Sequence, residues 1–212
     1  MLEELGKKYG TDKVNHDFVN FYEKCFFDIR EDVKLVLELG VLGGASIKMW
    51  KDYFPNAIIY GMDNEEQQKL PNIQDDRIKL LKMCQLDRNS LNKFFEEIGQ
   101  PFDIIIDDAG HYHKSQQETF GILFSKMKSN GFYCIEDLHT KNHQNYGLPI
   151  DHPHTTFHVL NNFKTTGKIN SPFLKEEEKK YLEENIKEVK LHISDHYCQV
   201  LKNSITSCII KK

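Results

Sequence analysis

The sequence predicts a doubly wound α/β domain built on a mostly parallel sheet. Short apolar runs that read as strands alternate with longer segments that read as helices, the pattern of parallel strands joined by crossover helices. The runs are apolar along their length instead of alternating, as expected for strands covered on both faces. Most of them end in glycine or acidic residues, which are suited to surround a ligand at the carboxyl ends of parallel strands.

The predicted elements follow one another in a regular order. The predicted strands are residues 35–39, 57–63, 78–81, 102–107 and 132–135. The helices predicted between them cover residues 46–54, 90–98 and 115–127. Ser46 and Ser90 are the predicted N-caps of the first two helices, and Asn130-Gly131 is expected to close the third. Residues 189–210 contain two or three more strand-like runs, which would complete the sheet as an antiparallel hairpin.

We expect one domain over residues 1–212, because no internal repeat or low-complexity linker divides the chain. Its four parts are a lid or helical segment (1–30), a ligand-binding core (31–138), an insertion with a charged helix (139–188) and C-terminal strands (189–212). The insertion begins with a stretch rich in His, Asn and Pro that reads as a long loop.

Composition excludes several classes of function. The net charge of −4 gives no general attraction to nucleic acid or to an anionic membrane. No apolar run approaches the roughly 20 residues that span a bilayer, so membrane insertion is not expected. The five cysteines are odd in number and form no C-x-x-C pair, which favours reduced thiols and a cytoplasmic location. The composition is compatible with either a monomer or a homo-oligomer.

The first two strand ends predict a cofactor site. The first strand runs into Glu38 and then into glycines at 40, 43 and 44, while Asp63 ends the second and could bind ribose hydroxyls. Leu42 occupies the second glycine position of a dinucleotide motif, and the Gly-Lys-Ser/Thr of a phosphate loop is absent. Glu38 suits a positively charged ligand, which favours S-adenosylmethionine (SAM). The alternative is that the glycines only form a strand-to-helix turn.

The fourth and fifth strand ends predict a second site. Asp108, Glu136 and Asp137 would meet at one edge of the sheet and repel each other. A divalent cation bound by these oxygens, Mg²⁺, Mn²⁺ or Ca²⁺, removes that repulsion. His111 is placed to act as a general base on a cation-bound hydroxyl. The alternative is that the carboxylates cap strand ends through backbone amides.

The remaining histidines have no cysteine partner at zinc spacing, and a loop that faces solvent or lines a substrate is the favoured reading. Those that follow the candidate base in or near the predicted loop are His113, His139, His143, His152, His154 and His158.

These residues resemble a known family. The segments LELGVLGGASIKMWKDYFPNAIIYGMD, FDIIIDDAGHYHKSQQETF and YCIEDLHT are similar to the macrocin/mycinamicin-type sugar O-methyltransferases and to the cephalosporin-hydroxylase-like methyltransferases. Tyr9-Gly10-Thr11-Asp12-Lys13 also matches. The resemblance covers residues 6–140 and fades over 141–212. It implies the class I SAM-methyltransferase fold, metal ligands at Asp108, Glu136 and Asp137, and a base at His111. Leu42 departs from the usual middle glycine.

With the resemblance, the expected catalytic residues are His111 and Asp108. The residues expected to contact the cofactor are Tyr9, Thr11, Glu38, Gly40, Gly44, Ser46, Asp63, Asn64, Gln85, Asp87 and Asp107.

The sequence thus predicts a SAM- and metal-dependent O-methyltransferase. Its expected partner is a small-molecule acceptor with a sugar hydroxyl, either a nucleotide sugar, a glycoside or a polysaccharide precursor. One alternative is a metal-dependent catechol or phenol O-methyltransferase, although that family usually ends its metal set in Asp-Asn. The other alternative is a nucleotide-binding module without turnover.

Overall fold

The computed structural model describes residues 1–198 and 202–212, which form one seven-stranded sheet. The strands are β1 Leu35–Leu39, β2 Ile58–Asp63, β3 Ile78–Lys82, β4 Phe102–Asp107, β5 Met127–Ile135, β6 Ile186–Cys198 and β7 Lys202–Lys211. Their order across the sheet is β3-β2-β1-β4-β5-β7-β6. The first five are parallel, and β7 is antiparallel to both β5 and β6. The predicted fold class is therefore confirmed.

Helices cover both faces of the sheet. They are α1 Leu2–Tyr9, α2 Phe18–Phe26, α3 Ala45–Tyr53, α4 Arg88–Ile98, α5 His113–Leu123, α6 Thr156–Thr166 and α7 Glu176–Asn185. Helices α1 to α3 pack on one face around Trp50. Helices α4 to α7 pack on the other face around Phe94 and Phe120. No helix in the described part of the chain is long and apolar enough to span a membrane.

Both predicted N-caps are wrong by a few residues. Helix α3 starts after Gly44, whose φ of 76° suits glycine, so Ser46 lies inside the helix. Helix α4 starts after Asp87, whose carboxylate accepts hydrogen bonds from the backbone amides of Asn89 and Ser90. An aspartate is as good an N-cap as a serine, and here it is the one placed at the turn.

Two other boundaries differ from the prediction. The pair Asn130-Gly131 lies inside β5, which already begins at Met127. Asn130 has a φ of 60°, and the pairing with β4 is irregular near this point, so the pair forms a bulge and not a helix end. The insertion is also more ordered than predicted, because two 3-10 turns (Leu138–Asn142 and Gln144–Tyr146) and α6 follow β5.

Candidate functional site

A cavity of about 740 Å³ opens at the carboxyl ends of the parallel strands. Its walls are the loops that follow β1, β2, β3 and β4, together with residues 10–12 from the N-terminal segment. This is the position where an open α/β sheet binds ligands, and the volume is typical of a small-molecule site.

The wall between β1 and β2 is held by Asp63. One carboxylate oxygen, Oδ2, accepts hydrogen bonds from the backbone amides of Val41 (2.8 Å) and Leu42 (3.3 Å). The other oxygen accepts one from the amide of Glu65 at 2.8 Å. Asp63 therefore shapes both loops and keeps some acceptor capacity toward the cavity. Leu42 has a φ of 45° and is exposed at the mouth of the cavity.

Gly40 explains how closely the β1 and β4 loops approach each other. A Cβ added at this position would lie 2.1 Å from the carbonyl oxygen of Asp108, and the φ of Gly40 is 86°. Only glycine fits there without moving the backbone that carries Asp108.

The second wall carries the candidate catalytic group. Asp108, His111 and Asp137 each place one ligand atom within 4.8 Å of the other two. His111 Nε2 lies 3.2 Å from Asp137 Oδ2, and all three side chains are half-buried. Asp137 has a φ of 56°, so the chain turns there and directs this carboxylate into the cavity.

Glu136 does not join this group, in contrast to the predicted ligand set. It is 2% exposed, and its two oxygens contact Lys13 Nζ (2.9 Å) and the hydroxyl of Tyr22 (2.9 Å). Asp107 of β4 pairs with Ile135 of β5, so Asp108 and Glu136 are neighbours at the sheet edge. The left-handed backbone conformation of Asp137 directs its carboxylate to the cavity, whereas the Glu136 carboxylate is buried.

Lys13 is the residue that the sequence prediction missed. It is 1% exposed, and its ammonium lies 2.5 Å from Asp108 Oδ2, 2.9 Å from Glu136 Oε2 and 3.3 Å from Glu38 Oε1. The sequence did offer one indication of its importance, because Lys13 belongs to the segment Tyr9–Lys13 that resembles the sugar O-methyltransferases. The rarity of a fully buried lysine makes it conspicuous only in the structure.

Burial and charge shift the pKa values of this cluster. Burial raises the pKa of Glu38, Asp108 and Glu136, while Lys13 works in the opposite direction on each. Burial alone would lower the pKa of Lys13, but the three carboxylates hold that pKa well above its usual value. The ammonium is therefore a fixed positive charge at any ordinary pH.

The predicted cofactor residues divide into two sets. Those on the cavity wall are Thr11, Gly40, Ser46, Asp63, Asn64 and Gln85. Those outside the wall are Tyr9, Glu38, Gly44, Asp87 and Asp107.

Residues of the second set have other contacts. Glu38 is buried and accepts a hydrogen bond from the hydroxyl of Ser46 at 2.8 Å. Tyr9 donates its hydroxyl to Asp52 on α3. Asp107 is buried beneath the loop, where burial raises its pKa to about 7.

Gln85 braces the β4 loop from across the cavity. Its side-chain oxygen accepts the backbone amide of Gly110, and its side-chain nitrogen donates to Thr119, both at 2.9 Å. The loop that carries Asp108 and His111 is therefore fixed from the β3 side.

The other histidines are mostly structural or peripheral. His113 is buried at the start of α5, and burial lowers its pKa to about 4. His139 is buried and accepts the backbone amide of Ile205 at 3.3 Å, so it does not line the cavity. At the rim, Tyr112 is 55% exposed and packs against Tyr146, which in turn contacts His143.

Comparison with known proteins supports a methyltransferase. No family model matches the chain. The chain is 39% identical over 155 residues to the 8-demethyl-8-(2-methoxy-alpha-L-rhamnosyl)-tetracenomycin-C 3'-O-methyltransferase of Streptomyces olivaceus, covering 69% of this chain and 39% of that protein. It is 34% identical over 159 residues to the mycinamicin VI 2''-O-methyltransferase of Micromonospora griseorubida, covering 71% of this chain and 39% of that protein.

A solved methyltransferase structure has the same fold as this chain. The methyltransferase MycE from the mycinamycin biosynthetic pathway, in complex with Mg and SAH, superposes with a TM-score of 0.79 at 27% identity. The match covers 99% of this chain and 54% of MycE. The chain thus spans about two fifths of its curated relatives and about half of MycE.

The fold and the sheet-edge site define a protein of the MycE-like methyltransferase class. Within that class, the chain is related to the sugar O-methyltransferases, which confirms the resemblance seen in the sequence.

Proposed function

We propose that this chain is a SAM-dependent, divalent-metal-dependent O-methyltransferase that acts on a sugar hydroxyl of an uncharged glycoside in the cytoplasm. The observation that carries the proposal is the placement of His111 against Asp108 and Asp137 on the wall of the strand-end cavity. The relatedness to sugar O-methyltransferases supports the reaction type.

The charge of the cavity fits a cationic cofactor. Its lining includes the carboxylates of Asp12, Asp63, Glu66, Asp108 and Asp137. In the described part of the chain, no Lys or Arg lines this cavity. A pyrophosphate group would meet only like charge there, whereas the ammonium and sulfonium of SAM would be attracted. When bound, SAM would supply the methyl group.

The donor set also fits a hard divalent cation. Asp108 and Asp137 offer carboxylate oxygens toward the cavity, and oxygen is the ligand atom that Mg²⁺ and Mn²⁺ prefer. When bound, the cation would lower the pKa of the acceptor hydroxyl. Glu136 is engaged with Lys13 and Tyr22, so we assign the holding role to the two aspartates.

His111 then acts as the general base. With Nε2 directed to Asp137 at 3.2 Å, a proton on that nitrogen leaves Nδ1 as the acceptor for the hydroxyl proton. Asp137 fixes the imidazole, and Gln85 fixes the loop that carries it. Orientation of this kind supplies much of the acceleration in a reaction between two bound groups.

The acceptor side is proposed to be segment 139–188 together with the aromatic rim. Tyr112 is adjacent to His111 in the chain and contacts Tyr146 of this segment at a ring distance of 6.0 Å. Tyr112 is exposed and Tyr146 is half-buried, and a tyrosine ring offers an apolar face and a polar tip, which suits a sugar ring. A nucleotide sugar would bring a diphosphate to an acidic cavity, so we favour an uncharged glycoside.

The decisive experiment offers SAM with Mg²⁺ and three acceptor sets: uncharged glycosides, nucleotide sugars and catechols. Mass spectrometry would detect the added methyl group. We expect transfer to glycosides, none in excess chelator, and none by Asp108→Asn. Transfer to catechols alone would replace the proposal with the phenol alternative. Cofactor binding without transfer to any acceptor would support a non-catalytic module.

A further inference from the structure

Lys13 links the N-terminal segment to the edge of the sheet through one buried ammonium that contacts three carboxylates. It is held in a 3-10 turn, Asp12–Val14, between α1 and α2, and its ammonium reaches the carboxylates that end β1, β4 and β5. Tyr22 of α2 donates to the same Glu136. The segment from the turn through α2 is therefore docked on the candidate catalytic carboxylates through two side chains.

Asp108 is shared between two groups. Its Oδ2 lies 2.5 Å from the Lys13 ammonium, and the same residue belongs to the group that Asp108 forms with His111 and Asp137 at the cavity. Four carboxylates lie at this edge, those of Glu38, Asp108, Glu136 and Asp137. Among the residues described, the one ammonium in contact with the first three is that of Lys13.

We propose that Lys13 competes with a divalent cation for the strand-end carboxylates, so that cation binding and docking of the N-terminal segment oppose each other. Two physical effects act in this direction. The ammonium occupies a lone pair on Asp108 Oδ2 and one on Glu136 Oε2, and its charge repels a second cation. This inference rests on the cation site of the proposed function.

Linkage makes the opposition reciprocal. If Lys13 weakens cation binding by some factor, the cation must weaken the docking of Lys13 by the same factor. A cation at Asp108 would thus loosen the segment that also supplies Gly10, Thr11 and Asp12 to the cavity wall. If Lys13 instead only held the carboxylates in place for the cation, its replacement would weaken cation binding.

The first test measures Mn²⁺ affinity by titration followed with electron paramagnetic resonance. We compare the wild type with Lys13→Met, which keeps most of the side-chain volume and removes the charge. Affinity should rise by about tenfold or more, because the repulsion disappears and one oxygen each of Asp108 and Glu136 loses its ammonium partner. Unchanged or weaker binding overturns the proposal.

A matched control exists at Lys211. It is also buried, but its ammonium donates to the carbonyl oxygens of Ser125 and Met127, at the opposite end of β5 from Glu136. Lys211→Met should lose stability without changing Mn²⁺ affinity. An equal rise in affinity in this variant would show that the effect is unspecific and would overturn the proposal.

A second measurement uses the unaltered protein and covers the case in which Lys13→Met does not fold. Amide hydrogen exchange over residues 11–26 should become faster when Mg²⁺ is added without SAM. Unchanged or slower exchange, with Mg²⁺ shown to bind, overturns the inference alone. If the wild type binds no Mn²⁺, or Asp108→Asn binds it equally well, the cation site of the proposed function fails as well.

Discussion

Replacement of His111 by alanine should separate an effect on catalysis from an effect on folding. The side chain is 32% exposed, and its Nε2 lies 3.2 Å from Asp137 Oδ2. A pair with this exposure contributes at most about 1 kcal/mol to stability. Loss of a general base removes about 10²–10⁴-fold in rate, or about 2.7–5.5 kcal/mol of transition-state stabilisation. The expected loss in turnover is therefore much larger than any loss in folding.

The assay follows methyl transfer to a glycoside at saturating SAM, with SAH affinity measured by calorimetry on the same preparations. SAH affinity should stay within about threefold of wild type, since His111 is one of many residues around the cavity. His192→Ala is the control, because His192 stacks on Phe21, lies outside segment 139–188 and does not line the cavity.

Two results would refute this reasoning. Turnover of His111→Ala within a few fold of wild type would remove the base from the mechanism. A parallel loss of SAH affinity and thermal stability would mean that His111 supports the loop and not the chemistry. Restoration of turnover in His111→Ala by added imidazole, with no stimulation of His192→Ala, would support a base at this position.

Three further predictions follow from the geometry. Asp108→Asn should abolish activity and the stabilisation by Mg²⁺ in thermal unfolding, and an unchanged Mg²⁺-dependent shift would contradict the assigned cation site. Tyr112→Ala and Tyr146→Ala should each raise the KM for the acceptor several-fold while SAH affinity holds. An equal loss of acceptor affinity and SAH affinity would mean that these tyrosines only support the structure. Asp52→Asn should lose about 1 kcal/mol in urea unfolding at pH 7, because Tyr9 first, and then lysines, lower the pKa of Asp52. That difference belongs to the ionised carboxylate, so it should shrink as pH falls below about 4, and a difference independent of pH would count against it.

The parallel strands of the sheet could be predicted from the sequence because most of them are apolar runs that end at glycine or acidic residues. Uninterrupted apolar runs marked β1, β2 and β4, and the residues that follow them set the edge of the cavity. Asp63, Asp108 and His111 could be placed on that edge since the carboxyl ends of parallel strands coincide. This part of the site depends on topology alone.

The direction of individual side chains could not be obtained in the same way. Glu136 and Asp137 are adjacent in sequence, and a left-handed turn at Asp137 sends one carboxylate inward and the other to the cavity. The partnership of Lys13 with Glu136 joins residues 123 positions apart, so no local pattern reveals it. Helix α6 was missed because a His- and Asn-rich start hides an apolar face that only tertiary packing uses.

The order of strands at the far side of the sheet has a consequence for synthesis of the chain. Strand β6 is made before β7 but reaches the sheet only through it, because β7 lies between β5 and β6. A nascent chain on the ribosome that has completed β6 therefore still carries β5 as an open edge, with Phe132 to Ile135 awaiting Ser207 to Ile210. Such an unpaired apolar edge is a template for association with other chains. Slow translation of residues 199–211 would prolong that exposure, whereas substitutions on β6 would leave it unchanged.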